Sequence, residues 1–158
     1  MNIPQQIAKH LRETYFGTNW TCVNIIEQLK DVTWEQAITH VYDLNTIFTL
    51  VQHITYYIPA QIQVLLGNLL IASDEESFIL PIINNENEWQ QFLHKKYEEA
   101  EQLATLIEKL SEEKLNEYFT DEKYGTYYRN IVGMVEHLHY HLGQIVFLKK
   151  IIMKQNKA

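Results

Sequence analysis

Leu44-Asn-Thr-Ile47-Phe-Thr-Leu50-Val51-Gln-His53-Ile54-Thr-Tyr-Tyr-Ile58-Pro59-Ala-Gln-Ile62-Gln-Val-Leu65 contains no charged side chain and returns an apolar residue every three or four positions. That spacing puts one apolar stripe along a helix. It predicts a long helix over residues 45–72, buried on most sides, with Pro59 kinking it by deleting a backbone donor. The charge-free run extends to Ser73, but Gln52, His53, Gln61, Gln63 and Asn68 interrupt it. No window approaches the roughly 18 consecutive apolar residues of a membrane span, so a core helix is expected and no membrane partner.

Three more long helices are predicted around this one. The first covers residues 3–30 with a break near Gly17, using Ile3, Ile7 and Leu11 and then Val23, Ile26 and Leu29. Thr33 and Gln36 have capping-box spacing, so residues 33–37 are expected to start a short helical piece. The third long helix spans residues 86–110, with Trp89, Leu93, Tyr97, Ala100, Leu103 and Ile107 inward and a charged opposite face. Ser111 opens a short turn, and residues 116–127 read as a long loop. The fourth helix covers residues 128–154, with Ile131, Val135, Leu138, Leu142, Ile145, Leu148 and Ile152 inward. Residues 73–85, holding Pro81, form a connection of which Ser77 to Ile83 should lie partly over the core. The expectation is an all-α four-helix bundle forming one domain over residues 1–158, a length that supports a single core.

The chain carries 20 acidic against 13 basic residues, a formal net charge of -7. Such a surface repels phosphate backbones, which argues against a nucleic-acid partner. The lysines at 149, 150, 154 and 157 are expected to offset the negative dipole end of the last helix. The single cysteine, Cys22, excludes an internal disulfide and is expected to be a buried, inert thiol. With no apolar core of signal-peptide length in residues 1–9, the expected location is cytoplasmic.

The chemistry lies in Glu136-His137-Leu-His139-Tyr-His141-Leu-Gly143-Gln144. His137 and His141 are four apart, so their rings leave one helix face and can grip one ion. His139 points about 200° away from them, toward the outer face or a neighbouring helix. A histidine pair at this spacing can equally be two polar residues at the edge of the core. His53, on so apolar a helix, fits the usual satisfied core histidine. It is also the candidate third ligand, because a buried imidazole needs partners for both nitrogens and a metal would be one. His10, His40 and His94 are weaker candidates, near a chain end, in a connection and on a charged helix. A di-iron bundle needs two Glu-x-x-His motifs, and the chain has only Glu136 to His139. The His-Glu-x-x-His protease motif is also absent.

At His137-Leu-His-Tyr-His141-Leu-Gly143-Gln144, with Leu50-Val-Gln-His53-Ile54 upstream, the chain resembles the DinB-like (YfiT-like) superfamily of metal-dependent enzymes. Asn45-Thr-Ile-Phe48 and Trp34-Glu-Gln-Ala37 also resemble that family, and the likeness spans residues 20–150. The resemblance implies an up-down-down-up type bundle, with His53, His137 and His141 holding one divalent ion, nickel or zinc. It implies a small-molecule substrate, with S-transfer from a low-molecular-weight thiol or hydrolysis as the activity. Three neutral histidines leave an ion its full charge and an open position, which suits activating a thiol or water. Gly143 is expected to let a neighbouring helix approach, and Gln144 either to reach water at the ion or to be a core-edge amide. Asp and Glu residues fall on outer faces and loops, so no general base is legible. A non-catalytic metal- or ligand-binding module and a structural dimer therefore stay open. A homodimer is suggested by Tyr118, Phe119, Tyr124, Tyr127 and Tyr128, aromatics that could equally line a substrate pocket.

Overall fold

The computed structural model describes residues 1–155, and among them it is all-helical with no β-strand. Its helices are α1 (Ile3–Phe16), α2 (Ile25–Leu29), α3 (Trp34–Ala37), α4 (Ile47–Leu65), α5 (Asp74–Ser77), α6 (Glu86–Glu108), α7 (Glu112–Asn116) and α8 (Tyr127–Gln155). Four of them are long. α1 and α4 each pack against both α6 and α8, which encloses one core. Among the described residues no helix is long and apolar enough to cross a membrane.

The starts of these helices follow their caps. Asn2 and Gln5 form a capping box on α1, and Thr33 and Gln36 form the expected one on α3. Thr46 caps α4 by accepting from the Thr49 N–H at 3.1 Å. α6 and α8 fall within two residues of the ranges the periodicity predicts.

Two expected helices are shorter than their apolar patterns. The segment read as one helix over residues 3–30 is broken from Gly17 to Asn24. Asn19 Nδ2 donates to the carbonyls of Glu13 and Val23, and Asn24 Nδ2 to that of Gly17 at 3.0 Å. These amides satisfy the backbone where helical bonds would otherwise form. α4 stops at Leu65 rather than Ala72. Gly67 takes φ 87, its N–H donates to Val64 O, and the Asn68 N–H donates to Gln63 O at 2.9 Å. That pair of bonds is a Schellman ending, and it turns Leu66, Leu69 and Ile71 out to the surface. Pro59 lies inside α4, which runs through it.

Between the helices the core is tied by a few directed contacts. Trp89, fully buried on α6, donates its indole N–H to Val32 O at 2.9 Å and sits among Trp34, Phe48 and Phe92. Arg12 on α1 reaches Glu101 at 2.9 Å and Glu108 at 3.0 Å on α6. Lys149 was expected to answer the dipole of α8, but it pairs with Asp31 and donates to Gln28 O, pinning α8 to the end of α2. Lys154 does lie in the last turn of α8, and Lys157 falls outside the described residues. Cys22 is exposed rather than buried, at φ 58 in the α1–α2 connection, where its turn holds it away from the core.

Candidate metal centre

α4 and α8 pack side by side and bring one histidine from the middle of α4 against two from the middle of α8. One ring nitrogen from each of His53, His137 and His141 lies within 4.8 Å of the other two, so the three could hold one metal ion. His53 Nε2 and His137 Nε2 are 3.0 Å apart. The ring centroids of His141 lie 4.9 Å from those of His53 and 4.5 Å from those of His137.

The surroundings decide which nitrogen carries a proton. Ser77 Oγ donates to Asp74 O at 2.5 Å, which uses its one hydrogen. It can then only accept from His53 Nδ1, 2.7 Å away, leaving the His53 Nε2 lone pair facing the other two rings. On α8, His141 Nδ1 lies 2.7 Å from Gln144 Oε1, an acceptor, so His141 also presents its Nε2 lone pair. Two imidazole nitrogens 3.0 Å apart can share a proton or a cation. Imidazole nitrogens as a ligand type suit zinc, copper, iron and nickel alike. Burial pushes His53 down from the usual histidine range, with His141 adding to it. For His137, burial first and then His141 and His53 push the value down to about 4. His53 and His137 are therefore neutral near pH 7, the form that binds metal.

Connections seal one side of this cluster. His53 is 5% exposed, and the Phe78 ring stacks on it at 4.2 Å and 16°. Thus the expectation that Ser77 to Ile83 lies over the core holds at Ser77 and Phe78, which cover His53 itself. On the other side His137 lines a cavity of about 420 Å³ together with Tyr57, Gln61, Asp74, Arg129 and Gly133. Tyr57 donates to Asp74 Oδ1 at 3.0 Å. An acid thus stands beside the imidazoles, although its sequence position in a connection pointed to an outer role.

The remaining candidates are placed as follows. His139 leaves the opposite face of α8, with Nδ1 3.0 Å from Val135 O and its ring 5.5 Å from that of His10 on α1, a helix–helix contact. His94 is exposed beside Glu98, and His40 is exposed as well. The oxygen of Gln144 is engaged by His141, so it does not point to open solvent at the centre. Gly143 admits no close helix: a Cβ there would meet nothing within 4 Å. Among the loop aromatics, Phe119 and Tyr127 are core, Tyr124 lines the cavity with Phe119, and Tyr118 and Tyr128 are exposed. Sequence reading missed Ser77, Asp74, Tyr57 and Arg129. Only the 53-to-57 spacing, one helical turn, put Tyr57 on the side of His53. No protein-family model, curated protein or solved structure matches the chain.

Proposed function

We propose that this protein is a metal-dependent enzyme of the DinB-like superfamily, an up-down-down-up four-helix bundle acting in the cytoplasm on a small molecule. His53, His137 and His141 hold one nickel or zinc ion, and Gln144 orients His141. The observation that carries this reading is the meeting of three imidazoles from two helices at the wall of a cavity of about 420 Å³. A cavity of this size takes a small molecule.

When bound, such an ion supplies a Lewis acid that brings the pKa of a thiol or water toward neutrality. The chain's own residues do the rest. Ser77 and Gln144 fix two ring tautomers through their Nδ1 contacts. Phe78 keeps water off His53 by stacking on it. Asp74 is the carboxylate lining the cavity, and the Tyr57 hydroxyl fixes its orientation. It accepts the proton of the attacking thiol or water as general base. The reaction class is S-transfer from a low-molecular-weight thiol to an electrophile, or hydrolysis.

Loading the purified chain with zinc or nickel and assaying transfer from several small thiols to a general electrophile tests this directly. Metal-dependent turnover, falling on the order of 100-fold in Asp74→Asn, is the expected result. Metal bound with no turnover for any thiol and no hydrolysis would leave a binding module instead of an enzyme.

A further inference from the structure

The cavity beside the histidines is lined by both an acid and a guanidinium, Asp74 and Arg129. Asp74 is tied to the histidine side: its carbonyl accepts from the serine that holds His53, and its carboxylate accepts from Tyr57, one turn after His53 on α4. Arg129 lies eight residues before His137 on α8, about 12 Å along the helix axis. Gly133 lies midway on that stripe and leaves the floor between them bare, since a Cβ there would meet nothing within 4 Å.

The chain has two arginines. Arg12 is spent on Glu101 and Glu108. Arg129 pairs with no carboxylate among the described residues; its one side-chain bond is from Nη1 to Tyr124 O at 3.2 Å. Its stem lies over Gly125, where an added Cβ would come 2.8 Å from Arg129 Cδ. The guanidinium is exposed, has most of its donors uncommitted, and is the only cation lining the cavity among the described residues. It also sits in the first turn of α8, where the helix dipole favours an anion.

A second group in the same wall is short of a partner. Gln61 is 8% exposed, and its Oε1 is buried with no hydrogen-bond partner. Gln61 Nε2 faces Asn130 O at 3.5 Å, so exchanging the amide's ends would set two oxygens against each other. Gln61 lines the cavity, so this unpartnered oxygen is an acceptor in its wall.

We propose that this cavity selects a small amino-acid-like or peptide-like molecule by a carboxylate held on Arg129 and an N–H donated to Gln61. Asp74 repels the carboxylate from the histidine side and so directs the rest of the molecule toward the histidines. This rests on the reading of the cavity as the substrate pocket of the histidine centre, but charge selection itself needs no metal.

Titration of the full chain, metal-free and zinc-loaded, with N-acetylalanine and with neutral N-acetylalaninamide tests it. The carboxylate is expected to bind about tenfold tighter in both forms, the size of a charge-assisted hydrogen bond. That preference falls below about twofold in Arg129→Gln and is largely kept in Arg129→Lys. Gln61→Leu weakens N-acetylalanine roughly threefold and leaves pentanoate, which has no N–H, unchanged. Equal binding of the two probes to the wild type, or an undiminished preference in Arg129→Gln, overturns the proposal. So does a preference seen only with zinc present, because the carboxylate would then sit on the ion. Zinc content measured in parallel separates the two readings: a wild type that binds no zinc but keeps the charge preference contradicts the metal centre alone.

Discussion

The two faces of α8 carry the same residue type with opposite fates. His137 and His141 turn toward α4 and meet His53, while His139, between them, turns toward α1 and meets His10. On the α4 face the Nδ1 of His53 and that of His141 each have an acceptor, and the Nε2 atoms converge. On the α1 face His139 spends its Nδ1 on the carbonyl one turn back. The ring chemistry is common to both faces. What differs is the element opposite and the hydrogen bonds that fix the tautomer, and these make a pair of imidazoles into a donor set.

That contrast is easiest to break with zinc affinity. His137→Ala is expected to lower it by on the order of 100-fold or more, and His139→Ala by less than about twofold, in competition with a chromophoric chelator. Similar losses for both variants would erase the distinction between the faces. The next effect comes from the groups behind the rings. Ser77→Ala and Gln144→Leu should each cost about 10- to 100-fold in affinity by releasing a tautomer, with the fold intact by circular dichroism.

A pH series on the metal-free chain sharpens the comparison from the α4 side. Burial, His141 and His53 hold His137 at about 4 in the folded chain, below its unfolded value near 6.5. The unfolded state therefore takes up the proton first. Stability from this group is complete above about pH 6.5 and is lost as pH falls toward about 4. Thermal midpoints should drop across that window, and His137→Asn should flatten the slope. The smallest effect belongs to the other face: His139→Ala is expected to cost under about 1 kcal/mol in denaturant unfolding, one partly buried contact.

How far these features can be read from sequence follows from the range of each interaction. The cores of α4, α6 and α8 announce themselves because burial recurs at helical spacing, and Thr33 with Gln36 announces α3 through a local bond pattern. Helix ends were less legible. Asn19 and Asn24 dissolve the middle of the first predicted helix by bonding to carbonyls, and Gly67 ends α4 inside a stretch that stays apolar. Cys22 looked like a core thiol only because its turn was invisible. At the site, the spacing of His137, His141 and Gln144 is local and could be read directly. Ser77 and Phe78 reach His53 from a connection more than twenty residues later, and Arg129 and Asp74 line one cavity that no periodicity encodes.

The central claim is that three imidazoles, one from α4 and two from α8, bind a single divalent ion. X-ray absorption spectroscopy on the zinc-loaded wild type and on His53→Ala tests it most directly. Three histidine nitrogens at about 2.0–2.1 Å in the wild type and two in the variant is the predicted result. A wild type that takes up no zinc, or identical spectra for both proteins, would contradict it.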